Sequence, residues 1–339
     1  LDGNLGLDNN LVDSWSQAVA QEHAKLAVAG AVSVVVMDHE ADAVIKTGAQ
    51  VNQDSAFRSA EQAVTVEATS TNNAVALAGN FETFGFQGMT SPKSWKFGDL
   101  WQTPGPGVGS DSDKSSKAVG ITVQVHAYVA DVLAKIEDGV DLYADTLEVN
   151  ATNDVLGVAA GVSGGNSEDF GLNGVFGVTI VDNSTTAQID DRATVVVGDD
   201  VTIEATDTAY VFTAAGSLAR SEKAGIGASL AFQDVTRDTQ AFIGQDVDDP
   251  SLLGGGALTA GGDVTLNASS KGVFGAFAVA GAGASQKTFT DDDKTATAAA
   301  VGFGHNTVNE QVLAYVNNAT LSAAGDISLT ATFAPVIEA

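Results

Sequence analysis

A six-residue segment recurs five times along the chain and constrains the fold more than any other feature. Each copy alternates a hydrophobic residue with a polar one and carries Ala at its fifth position: VTVEAT at 64–69, LEVNAT at 147–152, VTIEAT at 201–206, VTLNAS at 264–269 and ISLTAT at 327–332. Alternation with a period of two places Val201, Ile203 and Ala205 on one face of an extended strand. Each copy is therefore predicted to be a half-buried β-strand.

The spacing of the five copies indicates a repeat protein. The alanine at the fifth position of each copy serves as a marker, at Ala68, Ala151, Ala205, Ala268 and Ala331. Successive markers are 83, 54, 63 and 63 residues apart. A second marker, an Ala followed two residues later by Ile or Val, precedes each copy by 17 to 27 residues, at Ala43, Ala134, Ala187, Ala241 and Ala314. Repeated units of this kind bury their hydrophobic faces by stacking on one another.

The length of the unit decides how the stack is predicted to be built. A unit of 54 to 63 residues exceeds the roughly 20 to 30 residues that one turn of a solenoid commonly takes, so two coils per unit are expected. The predicted fold is all-β, a parallel β-helix (β-solenoid) of about five imperfect two-coil repeats, or about ten rungs, in a single domain over residues 1–339. Residues 13–26 are interpreted either as a short amphipathic helix or as an irregular strand.

Two departures from the repeat are predicted to be insertions. The first interval is 29 residues longer than the shortest, 83 against 54, and the excess falls at 84–116, which is expected to project as a long loop. A second, smaller insertion is predicted at 244–262. The long loop combines aromatic and basic side chains, which suit stacking on sugars or anchoring a protein partner; alternatively, they pack back onto the rod as a small core. The predicted binding residues are Lys93, Trp95, Lys96, Phe97 and Trp101.

The charge of the chain limits its partners. Forty-three acidic and 15 basic residues give a net charge of −28, which disfavours nucleic acid and anionic membranes, because binding them requires Lys and Arg to neutralise phosphate. No apolar run is long enough for a transmembrane helix, so membrane insertion is not expected. The absence of cysteine excludes a disulfide scaffold and thiol catalysis.

The acidity has two interpretations, namely solvated turns or a calcium site, since Ca²⁺ prefers carboxylate oxygens as ligands. The candidate ligands of a calcium ion are Asp246, Asp248 and Asp249 in QDVDDP. Similar acidic turns occur at 190–191 and 199–200. Apart from this candidate Ca²⁺, no cofactor is expected.

Catalysis is not predicted. Four histidines share neither a repeat position nor the spacing of metal ligands, and no GxSxG, P-loop, HExxH or Rossmann motif is present. The alternative is a carbohydrate-active β-helix enzyme, a polysaccharide lyase or hydrolase, in which carboxylates from adjacent rungs converge in a groove. Paired carboxylates are so frequent in this chain that their presence does not discriminate between the two interpretations.

Segments such as GDVTLNAS at 262–269, followed by Gly/Ala/Val runs such as AVAGAGA at 278–284 and by an Ala-x-Ile strand, resemble the repeat regions of large secreted bacterial surface proteins. These are the filamentous-haemagglutinin-like and giant repetitive adhesins. The resemblance implies a right-handed parallel β-helix, export, and a role in adhesion, surface coating or matrix, with no catalytic residues in the repeats. The secretion domain of that class has no counterpart here.

We therefore expect an extracellular or cell-surface protein with a structural or adhesive function. Its rod is expected either to associate with itself end to end as a filament or to be the stalk of a larger surface protein, with a surface glycan or a protein as partner. The alternatives are the carbohydrate-active enzyme and a calcium-dependent component of a surface layer.

Overall fold

The computed structural model describes residues 11–16, 25–79, 115–247, 255–284 and 296–338. In these ranges the chain forms strands, turns and short connections, without a helix. The strands are β1 (Leu11–Ser16), β2 (Ala27–Ile45), β3 (Gln50–Val51), β4 (Ala63–Gly79), β5 (Ser115–Ile136), β6 (Asp141–Ala144), β7 (Thr146–Asp190), β8 (Thr194–Val197), β9 (Val201–Ser221), β10 (Ala224–Gly244), β11 (Gly256–Ala260), β12 (Val264–Ala284), β13 (Thr297–Asn317), β14 (Ala319–Ala323) and β15 (Ile327–Glu338).

These strands form three stacks, and all neighbours within a stack run parallel. The motif stack contains the recurring segment and consists of β1, β4, the first half of β7, β9, β12 and β15. The return stack consists of β2, β5, the second half of β7, β10 and β13. The short stack consists of β3, β6, β8, β11 and β14. The predicted all-β fold with parallel strands is confirmed.

Each repeat contributes one strand to each stack, so a repeat is a single layer. In one layer β9 is followed by the return strand β10 and the short strand β11, after which β12 begins the next layer. Both sequence markers are in register: Ala151 pairs directly with Ala68 and with Ala205, and Ala187 pairs with Ala134 and Ala241.

The prediction of two coils per unit, and hence of ten rungs, is wrong. Within the motif stack, each copy of the motif is hydrogen-bonded directly to the next copy. A second coil of the same repeat therefore does not lie between them. The prediction is wrong because the strands are unusually long. β9 and β10 have 21 residues each, whereas strands most often have about 5–6 residues. Two such strands use most of a 63-residue unit in one layer.

The interior changes character along the strands. Where the three stacks meet, the core is aliphatic, with columns such as Leu147, Val201 and Val264 fully buried. Further along, a second core between the motif and return stacks includes Tyr128 and Phe274. At the opposite edge, which we call the narrow edge, the two stacks approach closely on Gly, Ala and Ser; an added Cβ at Gly227 of β10 would lie 2.3 Å from the carbonyl oxygen of Gly281 of β12.

Two smaller expectations fall partly within the described residues. Residues 13–16 belong to β1, which agrees with the interpretation of this region as a strand, and residues 17–24 lie outside the described part. Within the insertion predicted at 244–262, β11 is a regular strand that pairs with β8 and β14, so this range is not a loop throughout. The described ranges contain no helix with the length and apolar character needed to cross a membrane.

Candidate functional site

Most of the residues predicted to bind a partner or calcium lie outside the described part of the chain. These are Lys93, Trp95, Lys96, Phe97, Trp101, Asp248 and Asp249. Asp246 is described and is half-buried just after β10. Among the described residues, no group of three or more His, Asp or Glu side chains is arranged to hold a metal ion.

The last strand of the motif stack exposes side chains that belong to the core. Ile327 and Leu329 in β15 continue the columns of Val264 and Leu266, which are fully buried one layer earlier. Phe333 and Ile337 likewise continue inward-facing columns. These four side chains are 45% to 56% exposed because no described strand covers β15 on its outer side. We call Ile327, Leu329, Phe333 and Ile337 the end face.

The backbone at this end is also open to pairing. Within the described residues, β13, β14 and β15 are each hydrogen-bonded to a neighbouring strand on one side only. An edge strand with free N–H and C=O groups is a template for the addition of another strand. The end therefore combines exposed core side chains with three parallel strand edges.

A Gly-Asp turn connects successive layers on the motif stack and was missed by sequence reasoning. The backbone N–H of Asp263 donates to the carboxylate of Asp200 at 2.8 Å, and the N–H of Asp326 donates to Asp263 at 2.7 Å. The glycine before each donor leaves room for that carboxylate, since a Cβ at Gly262 would lie 2.2 Å from Oδ1 of Asp200 and one at Gly325 would lie 2.1 Å from Oδ1 of Asp263.

The sequence signal for these turns was present. An aspartate directly precedes three copies of the motif, at Asp200, Asp263 and Asp326, with a spacing of 63 residues. The acidity of the turn at 199–200 makes it a candidate ion site from sequence, whereas the structure uses Asp200 as a hydrogen-bond acceptor between layers. Asp326 has the same place in the last turn.

A buried ionic cluster crosses the interior between the motif stack and the return stack. Arg237 in β10 lies 3.1 Å from Oδ1 of Asp207 in β9 and 2.7 Å from Oε1 of Glu310 in β13, and all three side chains are fully buried. Its guanidinium also donates to the carbonyl of Lys271 in β12 and lies over the ring of Phe274. The cluster thus links strands of both long stacks.

Burial dominates the electrostatics of this interior. Desolvation raises the pKa of Asp207 to about 6, although the charge of Arg237 acts in the opposite direction. In the return stack, His126 is fully buried, and desolvation lowers its pKa to about 4. Because the Arg237 cluster has no exposed atoms for a substrate to reach, its arrangement suits a structural tie between strands.

Comparison with models of protein families, with curated proteins and with solved structures finds no match. A functional proposal for this chain thus depends on the geometry of its layers and on the resemblance of its repeats.

Proposed function

We propose that the chain is a β-solenoid rod with a structural or adhesive function outside the cell, and that the rod extends by addition of further layers at the end face. The observation that supports this proposal is the exposure of Ile327, Leu329, Phe333 and Ile337, in columns whose earlier members lie in the interior. Burying such side chains under another layer stabilises the contact by about 25 cal/mol for each Å² of apolar surface removed from water.

The last Gly-Asp turn supports the same proposal. Asp200 and Asp263 each accept a backbone N–H from the following layer, and Asp326 holds the equivalent position in the final turn. A next layer that begins with the same turn would donate its N–H to the carboxylate of Asp326. The end face therefore has a carboxylate acceptor beside its apolar columns, at the position that a further repeat would use. This arrangement favours a partner built from the same repeat.

The location and the partners of the rod are proposed from the sequence. Resemblance of the repeats to those of large bacterial surface proteins supports an extracellular or cell-surface protein that is not an enzyme. In that setting the residues at 84–116 would contact a surface glycan or protein, and the acidic turn at 246–249 would be the site for Ca²⁺. A net charge of −28 disfavours nucleic acid as a partner.

Electron microscopy of the purified chain at low micromolar concentration tests the stacking proposal. We expect filaments with a repeat of about 4.8 Å along their axis, the spacing of hydrogen-bonded strands. Images in Ca²⁺ and in chelator show whether the ion is needed. Single short rods at every concentration, in both conditions, would contradict end-to-end stacking.

A matched pair of variants in β15 identifies the surface responsible. Leu329→Lys places a charge in an inward column of the end face, where burial under a further layer costs several kcal/mol. Thr330→Lys makes the same change of charge on the adjacent, outward-facing residue. We expect Leu329→Lys to abolish filaments and Thr330→Lys to leave them intact; equal behaviour of the two variants would exclude the end face as the contact.

A further inference from the structure

The outer face of the return stack is apolar over about half its length. Its outward-facing residues form columns in register across β2, β5, β7, β10 and β13. The column that starts at Val32 is wholly apolar: Val32, Val123, Phe176, Leu230 and Phe303. The column that starts at Val34 is apolar up to its last member, His305, and the columns that start at Val28 and Gly30 contain only Val, Leu, Ile, Ala and Gly. We call these four columns the apolar face.

The apolar face is open to solvent and continuous. Val32 and Val34 are 62% and 61% exposed, and Phe176 and Phe303 are also exposed. The Phe232 ring lies 5.8 Å from that of Phe176 and 5.7 Å from that of Phe303, so aromatic contacts run across three layers. Soluble monomers rarely leave a contiguous apolar patch larger than a few hundred Å² uncovered.

The size of the apolar face matches that of a stable protein interface. Five strands spaced by about 4.8 Å and four columns spaced by about 6.7 Å give a patch of roughly 24 by 27 Å, or about 650 Å². Two such patches in contact bury about 1,300 Å² in total, within the range of about 1,200–2,000 Å² that specific interfaces cover. A second copy of this face is therefore a sufficient partner.

Charge beside the apolar face selects how two copies meet. Further along the same outer surface, away from the narrow edge, lies an acidic flank: Asp38, Glu40, Asp131, Asp182, Asp234 and Asp238. Two copies whose strands run in the same direction would place one flank on the other, and like charges in contact are unfavourable. Two copies with antiparallel strands place the flanks at opposite ends of the contact.

We propose that the apolar face binds the same face of a second copy, forming a closed dimer whose two-fold axis lies along the stacking direction. An isologous contact of this kind is self-limiting, and it is side by side, so it does not depend on stacking at the end face. An anionic lipid surface is the weaker candidate, because the chain carries a net charge of −28 and would be repelled by it.

Sedimentation velocity over a range of concentrations tests the proposal, with Leu329→Lys as background so that filaments do not interfere. We expect a dimer at micromolar concentration that strengthens between 0.1 and 1 M NaCl, because the Debye length falls from about 10 Å to about 3 Å and the repulsion between acidic copies is screened. Val32→Asp, and separately Val34→Asp, should weaken the dimer at least tenfold. Val196→Asp, an exposed change on the short stack, is the matched control and should leave it unchanged.

Spin labels distinguish the predicted dimer from other pairings. The chain has no cysteine, so Thr236→Cys on the exposed outer face of β10 gives one label per copy. In the antiparallel dimer the two labels are about 45 Å apart, whereas a parallel pairing brings them within about 10–20 Å, given the column and sheet spacings.

Three results would overturn the proposal. These are a monomer at all concentrations and salt levels, an equal effect of Val32→Asp and Val196→Asp, and a label distance below about 20 Å, the parallel pairing. A fourth result would also overturn it: binding of the monomer to phosphatidylcholine vesicles that Val32→Asp abolishes would assign the face to a lipid surface instead. Circular dichroism of each variant confirms that the exposed substitutions leave the fold intact.

Discussion

Removal of Arg237 should destabilise the fold strongly and in a pH-dependent way. The substitution Arg237→Met keeps much of the side-chain volume but leaves Asp207 and Glu310 buried without their cation. Removing one partner of a buried ion pair costs about 3–5 kcal/mol, and the Lys271 carbonyl also loses its donor, which costs about 1 kcal/mol more. We expect a loss of about 4–6 kcal/mol in the free energy of unfolding at pH 7.

The loss should be smaller at pH 5. Burial raises the pKa of Asp207 to about 6 even beside Arg237, and removing that cation raises it further. At pH 5 this carboxyl therefore binds a proton in both proteins, and its ion pair with Arg237 no longer separates their stabilities. Chemical denaturation followed by circular dichroism at both pH values measures the difference. Arg220→Met, at an exposed outer position of β9, is the control, with an expected change within about 0.5 kcal/mol.

A compensating variant completes the test. Arg237→Met combined with Asp207→Asn and Glu310→Gln removes all three charges, and we expect it to recover most of the lost stability, since neutral replacements of buried ion clusters are often tolerated. A loss below about 1 kcal/mol for Arg237→Met, or a triple variant as unstable as the single one, would refute the view that the cluster ties the stacks together.

Three further variants test separate parts of the structure. Burial lowers the pKa of His126 from 6.5 to about 4. The stability that this neutral side chain contributes is therefore lost as pH falls from 6.5 to 4, by up to about 3 kcal/mol. His126→Leu should reduce this loss of stability at acid pH, as measured by thermal melts at several pH values. The raised pKa of Asp207 acts oppositely, since its contribution is lost as pH rises from 3.8 to about 6, so Asp207→Asn provides the background that isolates the histidine. Gly227→Ala should destabilise the fold by about 1–3 kcal/mol, because its Cβ would lie 2.3 Å from the Gly281 carbonyl oxygen. Gly174→Ala, whose Cβ would have its nearest atom at 3.9 Å, should be tolerated. Equal melting temperatures of the two variants would contradict the close approach of the two stacks. Asp263→Ala removes the acceptor for the Asp326 N–H and should lower stability by about 1 kcal/mol, against no more than about 0.5 kcal/mol for the exposed Asp154→Ala.

The register of the fold could be predicted from the sequence because it depends on local alternation. Ala205 and its equivalents mark the inward face of each motif strand, and the structure pairs them one to one with the equivalents in adjacent layers. The second marker, at Ala187 and its equivalents, is in register for the same reason.

The number of layers could not be predicted in this way. Periodicity shows which residues face inward but not where a strand ends, and β7 continues from Thr146 to Asp190 without interruption. The apolar face was missed because Val32 and Val34 alternate with Ser33 and Val35, which are buried, and alternation alone does not tell which of two apolar faces is the outer one. The role of Asp200 depends on a contact between layers that only the stacked structure shows.

The distance across the five motif copies tests the central claim that each repeat is one layer. Thr69 and Thr332 are exposed on the outer face of the motif stack, in the first and last copies, and the double variant Thr69→Cys/Thr332→Cys carries a spin label at each end of that column. Four layers at about 4.8 Å predict a separation of about 19 Å by double electron–electron resonance, measured in protein diluted with unlabelled chain. A separation of about 38 Å would mean two rungs per repeat and would contradict the single-layer repeat.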